Sequence, residues 1–316
     1  MHQSDVNSKV SLVPVGNQGH FVAGEWLWDW WQQGRSQAVA YEVPLVELEW
    51  LLHQVAGVER LELRLGTLRS RPQIALTLPP AQLEALWQQR LHERTPVQYL
   101  VGRVAWRNLE LQVSPAVLIP RPETELMIDL AIAATADPLT QPLRQGHWAD
   151  LGTGSGAIAL GLAQAFPAAT VHAVDCSQAA LAIAQMNASA YDMLPQIQFV
   201  HGNWLDPLGH RRGQLSGLLS NPPYIPRAIV PTLQPEVAHH EPHLALDGGP
   251  DGLDCLRQLV AIAPAYLRSG GFWLVELMAG QAETVADLLA AQGAYQHIQI
   301  HADLAGVQRF VSAYRV

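Results

Sequence analysis

Residues 149–163 read ADLGTGSGAIALGLA. Apolar residues run up to Gly152, three glycines follow at alternate positions, and small apolar residues then recur at helical spacing. That order is strand, tight turn, helix. Gly152, Gly154 and Gly156 let the backbone turn sharply and let a ligand lie against it, close to a helix N-terminus. The flanking pattern agrees. From residue 147 onward, strand-like runs (HWADLG, TVHAVD, IQFVHG, GLLSN, GFWLVELM) alternate with helix-like runs (SGAIALGLAQAF, SQAALAIAQMNASA, DGLDCLRQLVAIAPAYL, GQAETVADLLAAQG). Such alternation predicts right-handed βαβ units and an open parallel sheet, an α/β architecture. The last run, AYQHIQIHADLAGVQRFVSAYRV, offers two strands on a short link. These can pair only antiparallel, because a parallel crossover takes about a dozen residues.

Upstream the pattern changes. Residues 1–20 read as a flexible tail. Residues 21–98 read as a small helical domain: GEWLWDWWQQ clusters four tryptophans, PLVELEWLLHQVAG has helical periodicity and stops at Gly57, and TLPPAQLEALWQQRLHE opens on prolines that suit a helix start. Six of the ten tryptophans lie before residue 90, which predicts an aromatic core, with exposed tryptophans meeting a partner as the alternative. Residues 99–122 contain two alternating runs flanking Arg107-Asn108, as in a hairpin linker, and IPRPETE breaks the strand pattern before a helix.

Composition narrows the function. A chain of 316 residues with 49% hydrophobic and 15% charged content has an ordinary globular composition. Its formal net charge is −9, whereas a protein that grips nucleic-acid backbone nonspecifically is expected to be basic. Lys9 is the sole lysine, which excludes lysine chemistry such as a Schiff base from the predicted core. The two cysteines, Cys176 and Cys255, have no CxxC spacing, so neither a disulfide framework nor a metal site is expected and a reducing compartment is. The first residues, MHQSDVNSKV, lack the pattern of a signal peptide, and no apolar run approaches the ~18 residues of a membrane span. The expectation is a soluble, cytoplasmic monomer.

Two motifs carry chemistry. Gly152-x-Gly154-x-x-Ala157 fits a nucleotide-binding turn, and Asp175 stands about where that turn's acidic partner belongs, placed to accept hydrogen bonds from ribose hydroxyls. The pair predicts a nucleoside-bearing cofactor; a tight turn with a strand-end aspartate is the structural alternative. Two features favour S-adenosylmethionine over NAD. A carboxylate at Asp150 suits a cationic sulfonium and amino group better than a pyrophosphate, and an antiparallel last strand is typical of methyltransferase sheets. The second motif is SNPPYIP, residues 220–226. Proline fixes φ, removes a donor and pushes the preceding residue to an extended form, so this loop is stiff and rich in carbonyls. A planar NH2 group inserted there meets the Asn221 side-chain oxygen and the Pro222 carbonyl as acceptors, with Tyr224 on its flat face. Positioning of that nitrogen toward a methyl donor supplies much of the catalysis. The residues leave open an adenine-N6 methyltransferase acting on DNA or RNA, a dehydrogenase that would leave the NPPY loop unexplained, and a degenerate methyltransferase used as a scaffold.

From about residue 25 to 316 the sequence resembles the release-factor glutamine N5-methyltransferases. The matching stretches are TPVQYLVG (95–102), LIPRPETE (118–125), DLGTGSGAIAL (150–160), AVDCSQAAL (173–181), SNPPYI (220–225), EVAHHEPHLALDGGPDGLD (236–254) and Ala305, Gly306 and Arg309. NPPY is shared with amino methyltransferases of DNA, RNA and protein, while IPRPETE and HEPHLAL are more specific to this family. The resemblance implies a helical substrate-recognition domain, a hairpin linker and, over residues 123–316, a Rossmann-like methyltransferase domain. It implies methyl transfer from S-adenosylmethionine to the side-chain amide of the glutamine in the Gly-Gly-Gln motif of peptide-chain release factors. Carried onto this chain, Gly152, Thr153, Gly154, Ser155 and Gly156 line the methionine part, Asp175 holds the ribose, Trp204 lies near adenine, Asn221 also contacts the cofactor, and Asn221, Pro222, Pro223 and Tyr224 hold the glutamine. Trp204 read by itself is equally a core tryptophan. Arg121 and Glu123 are expected in the same cleft, although helix-starting punctuation also accounts for RPETE. His239, His240 and Glu241 are expected to be solvated loop residues, and no general base is identified. One departure is visible: ELMAGQ (276–281) stands where the family commonly has EIG.

Overall fold

The computed structural model describes residues 19–316. The expected tail, and Lys9 with it, therefore lies outside the described residues except at its end. There His20 is not tail. It opens β1 (His20–Val22), which pairs antiparallel with β2 (Ile74–Leu76). The chain forms two compact units, one ending at Glu93 and the other starting at Arg94.

The first unit contains helices α1 (Gly24–Ala40), α2 (Leu45–Ala56), α3 (Arg60–Leu65) and α4 (Pro80–His92). Gly57 ends α2 in the left-handed conformation at φ 60°, a geometry that a Cβ disfavours. Proline at the first position of α4 removes an N–H that has no partner in a helix anyway. The tryptophan cluster divides: Trp30, Trp31 and Trp87 are buried, while Trp26 is exposed. Two of the buried indoles are anchored, Trp30 Nε1 donating to Glu84 Oε2 at 2.6 Å and Trp87 Nε1 to Gln37 Oε1 at 3.0 Å, while Trp31 Nε1 has no partner among the described residues.

The second unit begins with α5 (Val97–Val101) and a hairpin of β3 (Arg103–Trp106) and β4 (Leu109–Gln112), turned at Arg107 with φ 53°. Then come α6 (Leu126–Ala134), β5 (His147–Leu151), α7 (Ala157–Ala165), β6 (Thr170–Asp175), α8 (Gln178–Ala190), β7 (Ile197–His201) and β8 (Leu215–Ser220). The short α9 (Pro235–His240), α10 (Asp254–Ile262), β9 (Leu267–Glu276), α11 (Ala282–Gln292), β10 (Tyr295–Ala302) and β11 (Gln308–Arg315) complete it. Seven strands form one sheet in the order β10-β11-β9-β8-β5-β6-β7. The five from β9 to β7 are parallel, and β11 runs antiparallel to both β9 and β10.

Helices cover both faces. Residues of α6, α7 and α8 pack in one apolar cluster and residues of α10 and α11 in the other. The central strand β8 is buried on both sides, and all six positions of its LSGLLS sequence are buried, the two serines included. Burying each of its three leucines contributes roughly 1.5–3 kcal/mol. The chain winds outward from β5 through β6 to β7, then returns to the other side of β5 for β8 and β9. The carboxyl ends of β5 and β8 therefore flank the switch point, where an open α/β sheet leaves a crevice.

Candidate active site

The glycine loop leaves β5 and the NPPY loop leaves β8, from neighbouring strand ends. Leu151 and Ser220, the last residues of these strands, are partners in register, and the Ser220 hydroxyl donates to the Leu151 carbonyl at 2.7 Å. Between the loops lies a cleft of about 340 Å³. One wall is the backbone of Gly152–Ser155, with Gly152 at φ 73° and Gly154 at φ 54°. A Cβ added to Gly154 would point into open space, so this glycine leaves the cleft side of the backbone bare. Asp175 ends β6 beside it. Its Oδ2 accepts from Gly154 N and its Oδ1 from Ser177 N, both at 2.9 Å, which fixes the carboxylate and leaves further lone pairs for a ligand. Trp204 completes this end of the cleft. Its backbone sits at φ 47°, an uncommon conformation for a bulky residue.

The other end is built around Asn221, which lines the cleft with Pro223, Pro120 and Thr124. Asn221 Nδ2 donates to Thr124 Oγ1 at 3.3 Å, and Thr124 Oγ1 donates to Glu276 Oε2 at 2.6 Å. The Tyr224 hydroxyl donates to Glu276 Oε1 at 3.2 Å. Glu276, at the end of β9, is buried, and loss of solvent pushes its carboxyl above the usual range. Gln281 holds the loop's main chain: its Nε2 donates to the carbonyls of Tyr224 at 3.0 Å and Gly252 at 3.2 Å. The departure ELMAGQ thus keeps two residues that brace the NPPY loop.

The structure brings together Gly152, Thr153, Gly154, Ser155, Asp175, Trp204, Asn221 and Pro223 around one cleft. It corrects other expectations. Gly156 is buried against α8, where a Cβ would come within 3.1 Å of the Ala184 methyl; it serves helix packing. Pro222 is buried and Tyr224 is tied back to Glu276, so neither forms the cleft wall, although the Pro222 carbonyl accepts no hydrogen bond among the described residues. Asp150 does not face a ligand. It is wholly buried beneath the glycine loop, with Oδ2 accepting from Thr153 Oγ1 at 2.6 Å and Ala159 N at 3.0 Å, and burial pushes its pKa up to about 7. Its Oδ1 has no hydrogen-bond partner among the described residues.

In the IPRPETE stretch, Pro120 and Thr124 reach the cleft, while Arg121 and Glu123 do not. The Arg121 guanidinium instead donates to both oxygens of Glu241, at 2.7 and 2.8 Å. Glu241 is buried by that pairing, contrary to the solvated loop expected; His239 is exposed and His240 closes α9. Sequence reasoning missed Asn187. From α8 it donates to the carbonyls of Ser155 at 2.8 Å and Gln112 at 3.0 Å and accepts from Gln112 N at 2.7 Å, joining the glycine loop to the hairpin. Nothing in a polar residue on a helix marks it as a clamp. Both cysteines, read only for compartment, line the cleft as free thiols.

Comparison with known proteins places this arrangement. The family described as Methyltransferase small domain matches residues 125–237. The chain is 52% identical over 297 residues to the Release factor glutamine methyltransferase of Synechocystis sp., an alignment covering 94% of this chain and 98% of that protein. It is 50% identical to the Release factor glutamine methyltransferase of Thermosynechococcus vestitus, covering 92% of this chain and 99% of the relative. Among solved structures, the hMettl16 catalytic domain shares the fold, with a TM-score of 0.50 at 12% identity over 73% of this chain and 80% of the other. With that identity spread along nearly its whole length, the chain belongs to the release factor glutamine methyltransferase family and is a methyltransferase.

Proposed function

We propose that this protein methylates the side-chain amide nitrogen N5 of the glutamine in the Gly-Gly-Gln motif of peptide-chain release factors, using S-adenosylmethionine. The observation that carries this reading is the orientation of Asn221. Its amino end is engaged by Thr124, so its oxygen end is the one left for a substrate N–H. The neighbouring Pro222 carbonyl is a second acceptor unused by the fold among the described residues. Two acceptors on a rigid loop suit a planar NH2 group.

The residues at the opposite end fit the methyl donor. S-adenosylmethionine, when bound, supplies an electrophilic methyl group on a sulfonium. Asp175 is placed to accept from ribose hydroxyls, the bare backbone at Gly152 and Gly154 accommodates the methionine part, and the Trp204 ring offers a face to adenine. Asn221 lines the same cleft as the glycine loop, so the acceptor nitrogen is held beside the donor and the chain's contribution is chiefly positioning. A second depression of about 410 Å³ shares Leu244, Asp247 and Cys255 with the cleft and offers room for residues flanking the glutamine. The helical residues 21–98 serve substrate recognition in this reading, residues 99–122 link them to the catalytic domain, and the setting is the cytoplasm.

The test is methyl transfer from labelled S-adenosylmethionine to a purified release factor, beside a copy with the motif glutamine changed to alanine and a duplex DNA control. Labelling that requires the glutamine supports the proposal. Labelling of DNA alone favours an adenine-N6 enzyme, against which the net charge of −9 speaks.

A further inference from the structure

We propose that Glu276 is a positioning residue that decides which end of the Asn221 carboxamide faces the substrate. The proposal rests on the acceptor role given to Asn221 above and adds a residue 55 positions beyond it in sequence, on a different strand. Glu276 is 2% exposed, and the two hydroxyls that reach it come from separate segments, Thr124 at 2.6 Å and Tyr224 at 3.2 Å. An ionised carboxylate has acceptors only, so both hydroxyls must donate to it. Thr124 Oγ1 then offers Asn221 nothing but lone pairs. Only the NH2 end of the carboxamide satisfies them, at 3.3 Å. The two ends of a carboxamide have nearly the same shape, so packing alone does not choose between them. The direction of the hydrogen-bond chain does, and it turns Oδ1 toward the incoming amide.

The same logic makes the chain reversible. A protonated Glu276 carries a hydroxyl of its own and can donate to Thr124, whose proton is then free to point at Asn221 and draw the carboxamide oxygen toward itself. The flipped side chain presents NH2 to the substrate's NH2. Burial favours that protonated state. The groups that bear on Glu276 are Thr124 and Tyr224, which stabilise its charge by hydrogen bonding, Arg309, which does so through space, and Glu123, which opposes it. Arg309 is itself paired with Asp303 at 2.8 Å.

Glu276→Leu is the decisive variant, because it offers neither hydroxyl an acceptor, while Glu276→Gln keeps the shape and accepts from one of them only. With a release factor as substrate, kcat should fall roughly 10²-fold, as for loss of a preorganised polar contact. KM for the release factor and Kd for S-adenosylmethionine should stay within about threefold. Thr124→Val should reproduce the loss and Thr124→Ser, which keeps the hydroxyl, should rescue it. The parent's kcat should decline on the acid side through a limb that Glu276→Gln lacks. Undiminished kcat in Glu276→Leu, or a loss of cofactor affinity as large as the loss of kcat, overturns the proposal. A second readout needs no substrate: the Asn221 side-chain NH2 signals in a 15N NMR spectrum, identified by their absence in Asn221→Ala. One of these protons should exchange slowly with water in the parent and quickly in Glu276→Leu and Thr124→Val. Fast exchange in the parent overturns the relay. If the parent methylates no release factor, the functional proposal fails by itself, and the exchange measurement still decides the role of Glu276.

Discussion

Asp175 and Asn221 stand at opposite ends of one cleft, and each is held by bonds that leave its ligand-facing atoms free. Their substitutions should therefore show crossed effects. Asn221→Ala should lower kcat about 10²–10³-fold while leaving S-adenosylmethionine affinity nearly intact. Asp175→Ala should chiefly weaken cofactor binding, seen by calorimetry, because it removes both the acceptor proposed for the ribose and the anchor of Gly154 N. An Asn221→Ala protein that fails to bind cofactor yet turns over normally at saturation contradicts the assignment. At this scale the sequence was legible where a residue type is tied to a local turn, as at Gly152, Gly154 and Asn221. It was misleading at Asp150, where a carboxylate beside the glycines suggested a ligand and the structure buries it under the loop. Proximity in sequence to a ligand loop says nothing about which side of the backbone a side chain takes.

The elements were easier to read. Alternating periods of two and 3.6 identified the strands and helices of the sheet, and a short final link required an antiparallel end, as found in β10 and β11. What makes these elements pack is less visible. Gly217, inside β8, shows it: a Cβ there would lie 2.2 Å from the Trp148 ring of the adjacent β5. Gly217→Ala should destabilise the protein by about 1–3 kcal/mol through overpacking. A urea titration should show a lower midpoint with an unchanged slope. Equal midpoints would mean that the ring moves aside freely. The hairpin β3–β4 illustrates the same divide. Its turn at Arg107-Asn108 could be read locally, but its attachment to the glycine loop through Asn187 depends on a helix 75 residues further on.

For the molecule as a whole, Asp150 links the site to stability. Burial raises its pKa from 3.8 to about 7, so between those values the folded protein binds a proton that the unfolded chain has released. Its contribution is full below the unfolded pKa and is lost as pH rises toward the folded one. Asp150→Asn removes that titration. Between pH 4 and 8 the stability of Asp150→Asn relative to the parent should rise by on the order of 2–4 kcal/mol, measured by urea unfolding across that range. Parallel pH profiles for the two proteins would show that Asp150 ionises in the folded state as it does when unfolded.

The sequence by itself determined the α/β sheet, its strand-turn-helix glycine loop and the rigid NPPY loop, because those depend on backbone conformations that glycine, proline and local periodicity dictate. It also carried the family, through stretches spread from residue 95 to 309. Only the tertiary structure decided which side chains meet. Thr124, Asn221, Tyr224 and Glu276 come from three separate parts of the chain and join only because β8 and β9 lie side by side and the turn before α6 closes over their ends. Hydrogen-bond direction in such a cluster depends on all its members at once, and no local stretch of sequence contains them.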